Sequence, residues 1–210
     1  MEADVRETLR YFSLHNHPDS FEYLPGTGSV LFSAPHAVLQ TRNGCIKQAE
    51  RYTGMLCRLL NLRYGLPCIY KSRHMEDDAN HDVISPYRAE VRRLIQEEGF
   101  RCVLDLHQLS PTRPMALCIG TGHGKHIASF EEAPSLVRSV FECHGLVPVT
   151  LDDPFSAAAP YTVSASAAAQ GAAALQLEIN TSLLLENTPL ERFESVLCAL
   201  KETAHELQRK

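Results

Sequence analysis

The sequence predicts an α/β fold: a three-layer α/β/α arrangement around a mostly parallel mixed sheet, phosphorylase/hydrolase-like in kind. Three observations carry that expectation. Short apolar runs alternate along the chain with longer helix-patterned stretches, the signature of βαβ units. Two of the runs, Arg101–His107 and Ala173–Ile179, read as buried strands of a sheet covered on both faces. Both end in polar side chains, and ligands on such sheets bind beyond the carboxyl ends of the strands.

The elements follow in order. Ser29–Ala34 is short, apolar and closed by Pro35. A helix is expected over Cys45–Asn61, where Ile46, Ala49, Leu56 and Leu60 fall on one side. Pro67–Tyr70 is a strand after a break at Gly65. Ser85 and Pro86 form an N-cap followed by proline at the first helical position, opening a helix to about Glu98 that Gly99 ends. Beyond Arg101–His107, a strand over Met115–Ile119 follows Pro114, and a helix over Glu131–His144 is closed by Gly145. Val147–Thr150 is a weaker strand pattern. The Ala-rich stretch from Ala157 to Ala174 contains Pro160 and Gly171, which suits a loop with small-residue packing. After Ala173–Ile179, Thr188 and Glu191 stand at capping-box spacing and start a C-terminal helix.

With 210 residues the chain suits one domain, 1–210, with a sizeable core. The net charge is −5 and the basic residues are scattered, so nucleic acid is not an expected partner. No run approaches the ~18 apolar residues of a membrane span, and the charged N-terminus lacks an apolar signal segment. The seven cysteines are odd in number and form no Cys-x-x-Cys pair, which fits free thiols in a reducing compartment and a cytoplasmic setting. There is no Gly-x-Ser-x-Gly elbow and no local signature of a cysteine nucleophile.

The chemistry concentrates at three strand ends: Pro35-His36, Asp105-Leu106-His107 and Glu178-Ile179-Asn180. Residues i and i+2 of a strand share a face, so Asp105 and His107 point one way, and Gln176, Glu178 and Asn180 point together. A carboxylate in so apolar a strand is costly unless paired or coordinated, and Glu178 suits either a salt bridge or a metal site. A lone strand-end histidine is commonly a hydrogen-bonded structural group; two on neighbouring strands suit a metal. A catalytic zinc site needs three protein ligands. Glu50, at the edge of the apolar stripe about one turn inside the helix after His36, is the candidate third. His15 and His17 form a His-x-His pair, and His74 and His81 flank an acidic run; each suits a polar loop as well as a site. His123 and His126 lie in a glycine-rich loop that lacks phosphate-binding spacing.

This ordered set, Ser33-Ala-Pro-His36, an acidic residue in the next helix, Asp105-Leu-His107 and Gln176-Leu-Glu-Ile-Asn180, resembles the N-formylglutamate amidohydrolases. They are similar in fold to the zinc carboxypeptidases and to the aspartoacylase/succinylglutamate desuccinylase group. The resemblance spans about Ser29 to Asn180. It implies His36 and His107 as zinc ligands, Glu50 as the acidic ligand, one Zn2+ per chain, and Glu178 as the carboxylate that activates water. Asp77-Asp-Ala-Asn80 resembles the family's Asp-x-Asn-Arg stretch, whose asparagine and arginine hold the substrate carboxylate. Here His81 stands where arginine is expected, and Leu39 stands where the carboxypeptidases place a glutamate.

The expected reaction is hydrolysis of an amide bond in a small N-acyl amino acid, with Glu178 as general base and Asp105 orienting the His107 ring. The expected partner is a small molecule carrying a carboxylate, and not a membrane. Asn80, Arg88 and Arg113 are the candidate substrate-binding residues, with Arg42 and Arg73 as further cations. Two other readings stay open: a zinc peptidase, and a degenerate binding module of the same fold. Two histidines and a carboxylate also suit iron(II).

Overall fold

The computed structural model describes residues 2–13, 17–184 and 188–210. In chain order the elements are α1 (Glu2–Ser13), β1 (Phe21–Leu24), β2 (Val30–Ala34), β3 (Gln40–Arg42), β4 (Cys45–Lys47), α2 (Arg51–Tyr64), β5 (Cys68–Lys71), α3 (Pro86–Glu98), β6 (Cys102–Leu109), β7 (Leu117–Gly120), α4 (Ala133–Cys143), β8 (Val149–Leu151), α5 (Val163–Ala168), β9 (Ala173–Asn180) and α6 (Leu190–Gln208). Seven strands form one sheet in the order β1-β5-β2-β6-β9-β7-β8. The central four, β5, β2, β6 and β9, are parallel. β1 runs against β5, and β7 runs against β9 with β8 parallel to it. The expected three-layer, mostly parallel sheet is therefore present, with reversed strands confined to its edges.

Strand alternation sorts the core into two unequal halves. Phe32, Leu104, Leu106, Leu175 and Leu177 face α1, α2, α4 and α6, which pack on them through Phe12, Met55, Leu56, Val137, Phe141, Val196 and Leu197. On the other face, Leu31, Val103 and Ala174 meet Tyr87, Val91 and Leu94 of α3 and Val163 and Ala167 of the six-residue α5. That face also carries Ser33, Asp105, His107, Gln176 and Glu178 by strand parity. The Ala-rich stretch thus supplies a short helix of small side chains over the polar half of the sheet.

α3 begins and ends as the sequence indicates: the Ser85 hydroxyl accepts from Arg88 N, Pro86 is its first residue, and Gly99 takes φ 74°. Two expectations fail. The segment 45–50 is not helical. Asn43 and Gly44 take φ 51° and 76°, the paired left-handed conformations of a tight hairpin turn, so 40–47 folds back as β3–β4 and α2 starts only at Arg51. Ile46 is accordingly exposed rather than part of a helix stripe. The Thr188 capping box does not form either. Its hydroxyl donates to Ser182 O at 2.8 Å, and α6 starts after Pro189 with no side-chain cap.

No helix among the described residues is long and apolar enough to cross a membrane. All seven cysteines are free, four of them buried.

Candidate metal centre

Because β2, β6 and β9 are adjacent, the three polar strand ends meet on one rim. The register sets Ser33 beside Asp105, Asp105 beside Gln176, and His107 beside Glu178. His36 follows β2 by two residues. Glu50 N donates to His36 O at 2.8 Å, so the β3–β4 hairpin is an excursion that leaves and returns at the same place. Glu50 therefore sits just before α2 rather than one turn inside a helix. Its carboxylate caps no helix; it turns to the histidines.

Glu50 Oε1 lies 3.2 Å from His36 Nδ1 and Oε2 lies 3.1 Å from His107 Nδ1. Gln108 N donates to the same Oε2 at 3.1 Å and fixes the carboxylate. One ligand atom from each of His36, Glu50 and His107 falls within a 4.8 Å cluster, so this buried group can hold a metal ion. The outer ring nitrogens are equally organised. His36 Nε2 is 2.9 Å from Asp78 Oδ1 and His107 Nε2 is 3.0 Å from Asp105 Oδ2. Each aspartate is held in turn. Arg42 donates to Asp78 Oδ2 from Nε at 2.9 Å and from Nη2 at 2.8 Å, and Asn80 N donates to Oδ1 at 2.9 Å. Ser33 Oγ donates to Asp105 Oδ1 at 2.8 Å.

This donor set fits a cation. With both Nε2–H groups committed to aspartates, the neutral rings turn their Nδ1 lone pairs onto the Glu50 carboxylate. Acceptors then face acceptors at hydrogen-bond distance, which is repulsive unless a metal or two protons lie between them. Carboxylate–histidine pairs of this kind set the tautomer and raise the basicity of metal-binding imidazoles.

The same cluster governs ionisation in the ion-free protein. Burial would raise Glu50, but the charges of His107 and His36 overcome it and hold the carboxyl at about 2. Burial would lower both histidines; Glu50 and Asp78 keep His36 above its ordinary value, and Asp105 and Glu50 keep His107 well above. A depressed carboxyl stabilises the fold above its unfolded value near 4.5 and loses that contribution as pH falls toward 2. The raised histidines stabilise it below 6.5 and lose that contribution as pH rises through their folded values. Chelated protein is thus expected to melt highest between about pH 4.5 and 6.5, whereas the gain from added zinc grows with pH because zinc replaces protons. Thermal melts with and without chelator from pH 4 to 8 check this; chelated protein that is most stable at pH 8 would contradict it.

Glu178 stands beside His107 and bonds no cationic side chain among the described residues. Gln176 Nε2 donates to its Oε1 at 2.8 Å. Burial pushes its carboxyl up to about 7, against the pull of His107.

The remaining candidates separate. Asp105 is on the His107 ring. Asn80 is turned inward: its Nδ2 lies 2.9 Å from His107 Nε2 and 3.3 Å from Asp105 Oδ2, and its Oδ1 accepts Val163 N at 2.8 Å. Arg88 does not face open space. Its guanidinium donates to the carbonyls of Ala79, Tyr161, Asp82 and Val83, so it pins the 79–83 loop to the 161 region. Arg88→Met is therefore expected to cost about 3 kcal/mol or more, since each buried carbonyl left unpaired costs about 1–3 kcal/mol. Urea denaturation measures this; unchanged stability with a raised KM would return Arg88 to substrate binding. Arg113 is exposed, its guanidinium 5.9 Å over the Phe155 ring. Arg73 donates to Pro18 O, His81 bonds Asn43 Oδ1 and His74 bonds Thr41 Oγ1. His17 bonds Tyr11 O, away from the cluster, and His15 lies outside the described residues.

Sequence reasoning missed Asp78, Arg42 and Ser33 as supports of the ligand rings. Asp77 and Asp78 are indistinguishable in sequence. The fold gives Asp77 to Lys71 and Asp78 to His36. The spacing to Asn80 was the available signal.

A buried His–Glu–His cluster with an aspartate behind each ring, at the carboxyl rim of a three-layer sheet, defines a candidate metal-centre protein of α/β class. No protein-family model and no curated protein sequence matches the chain. Solved structures do. The chain is similar to a bacteriophage poly-gamma-glutamate hydrolase, at 17% identity over 92% of each chain with a TM-score of 0.61. It is similar to YNDL in its apo, zinc-free form, at 18% identity over 90% of this chain and 91% of that one, TM-score 0.55. It is also similar to the succinylglutamate desuccinylase from Chromobacterium violaceum, at 15% identity over 98% and 77%, TM-score 0.55. At these identities the likeness establishes the fold alone.

Proposed function

We propose that this protein is a zinc-dependent hydrolase that cleaves the amide bond of a small N-acyl amino acid, as the resemblance to N-formylglutamate amidohydrolases implies. The observation that carries the proposal is the buried Glu178 carboxyl beside the His36, Glu50 and His107 cluster. A zinc ion held by those three side chains would polarise an amide carbonyl and bring the pKa of a water toward ~7.

The residues supply the rest. Glu178 takes the proton of the attacking water and passes it to the leaving amine. A carboxyl raised by burial suits both transfers near neutral pH. Gln176 holds one Glu178 oxygen and leaves the other for the water. Asp78 and Asp105 keep both imidazoles in one tautomer. The free thiols support a reducing, cytoplasmic setting.

A zinc peptidase acting on an extended chain is the second reading. It is favoured by the exposed Met75, Val83 and Ile84, which flank the segment bearing Asp78 and Asn80 and offer apolar contact outside the cluster. The test is elemental analysis followed by turnover on N-formyl-, N-acetyl- and N-succinylglutamate and on a γ-glutamyl oligomer. Zinc with turnover of the acyl amino acids supports the proposal, and preference for the oligomer supports the peptidase. Zinc with no turnover of either leaves a binding module of the same fold.

A further inference from the structure

The side chains that would occupy the family's carboxylate-holding positions are spent elsewhere in this chain. Asn80 serves His107, Asp105 and Val163 N, and His81 bonds Asn43. Of the arginines named as candidate cations, Arg42 is committed to Asp78, Arg88 to four backbone carbonyls and Arg73 to Pro18 O. The Arg113 guanidinium has no hydrogen-bond or ion-pair partner among the described residues; it rests only on Phe155.

Three contacts place the backbone of Arg113 and the loop carrying Phe155 on the Glu178 side of the sheet. Asn180, two residues on from Glu178 and on the same strand face, donates from Nδ2 to Arg113 O at 2.9 Å and to Met115 O at 2.8 Å. Cys118 lies directly opposite Glu178 in the β7–β9 register, and its thiol donates to Asp153 O at 3.3 Å and Phe155 O at 3.4 Å. Gly120, opposite Gln176, is passed so closely by the 155–157 backbone that a Cβ there would stand 3.0 Å from Phe155 O. The loop carrying Phe155 therefore lies over the strand face next to Glu178, and the chain carrying Arg113 is tied to the same face one step along. Both are on the β7 side of the cluster, away from Asn80 and His81.

We infer that Arg113, braced on Phe155, is the specificity-determining cation that takes the substrate's carboxylate, so that carboxylate recognition comes from the β7 side of the site. This rests on the amide-hydrolase reading above. A guanidinium held over an aromatic face keeps its N–H groups for a ligand, and its fork matches a carboxylate with two parallel hydrogen bonds. The substrate class is then an N-acyl amino acid with a free carboxylate near the scissile amide.

The experiment uses the zinc-loaded protein, wild type and Arg113→Ala, with Arg113→Lys as the conservative variant. N-acetylglutamate is compared with N-acetylglutamine and N-acetylisoglutamine, each of which replaces one carboxylate by an amide. In wild type one of the two amides is expected to be a poorer substrate by about 10- to 100-fold. In Arg113→Ala that preference collapses through KM, with kcat changed less than about threefold, and Arg113→Lys restores part of it. Equal loss on acid and amides, or an unchanged preference, overturns the inference. If wild type hydrolyses none of the three, nor N-formyl- or N-succinylglutamate, the amide-hydrolase reading fails, and calorimetric binding of the three compounds still decides Arg113. Tighter binding of the acid in wild type that is lost in Arg113→Ala upholds the inference; equal binding of acid and amides, or none, overturns it.

Discussion

Glu178→Gln is expected to keep its zinc and to lose turnover by about 10²- to 10⁴-fold, the range that a positioned general base contributes. The substitution is nearly isosteric and leaves His36, Glu50 and His107 untouched, so the ion stays. What disappears is proton acceptance. An amide cannot take the water's proton, and its carbonyl can still accept from Gln176, so the local packing holds. Burial already disfavours the Glu178 anion, and the neutral replacement removes that penalty. The variant is therefore expected to be as stable as wild type or slightly more so above pH 7, where the wild-type carboxyl is ionised. Turnover numbers, elemental analysis and thermal melts on one preparation separate these effects. Wild-type turnover in the variant would remove Glu178 from the chemistry.

His107→Ala is expected to abolish stoichiometric zinc, from about one per chain to near none after dialysis, because two ligands seldom hold the ion. A second loss accompanies it. Asp105 and Glu50 are left without the ring between them, and stranding a buried charge costs about 3–5 kcal/mol. Asp105→Asn is the graded control: the ligands remain, but the carboxylate behind His107 is neutralised, and zinc affinity is expected to fall about 10- to 100-fold. Elemental analysis and competitive chelator titration, with circular dichroism to confirm folding, read both variants. If His107→Ala retains zinc at the wild-type ratio, the cluster is not the metal site.

Much of the core was legible because it is written in local pattern. The buried runs that became β6 and β9, the Ser85-Pro86 start and Gly99 stop of α3, and the polar ends after β2, β6 and β9 all follow from alternation and capping. The helix read over Cys45–Asn61 is present from Arg51 on but failed over 45–50, because a periodicity argument outweighed a turn signal: Asn43-Gly44 favours a tight hairpin, and Ile46 found no core to join. Glu50 was nevertheless the right residue to examine, for its place after His36 rather than for its helical phase.

The sequence by itself determined the parts: which strands are buried, which ends carry imidazole and carboxylate, and that Glu178 needs a reason to sit in an apolar strand. Tertiary structure alone decided the pairing. Strand order made β2, β6 and β9 neighbours, and loop folding sent Asp78 rather than Asp77 to His36. The same folding consumed Arg88 on backbone carbonyls and left Arg113 open on Phe155. The physical reason is range. Alternation, capping and turn preference act over a few residues and are printed in their order. A hydrogen bond between side chains dozens of positions apart depends on which donors the rest of the fold has already used.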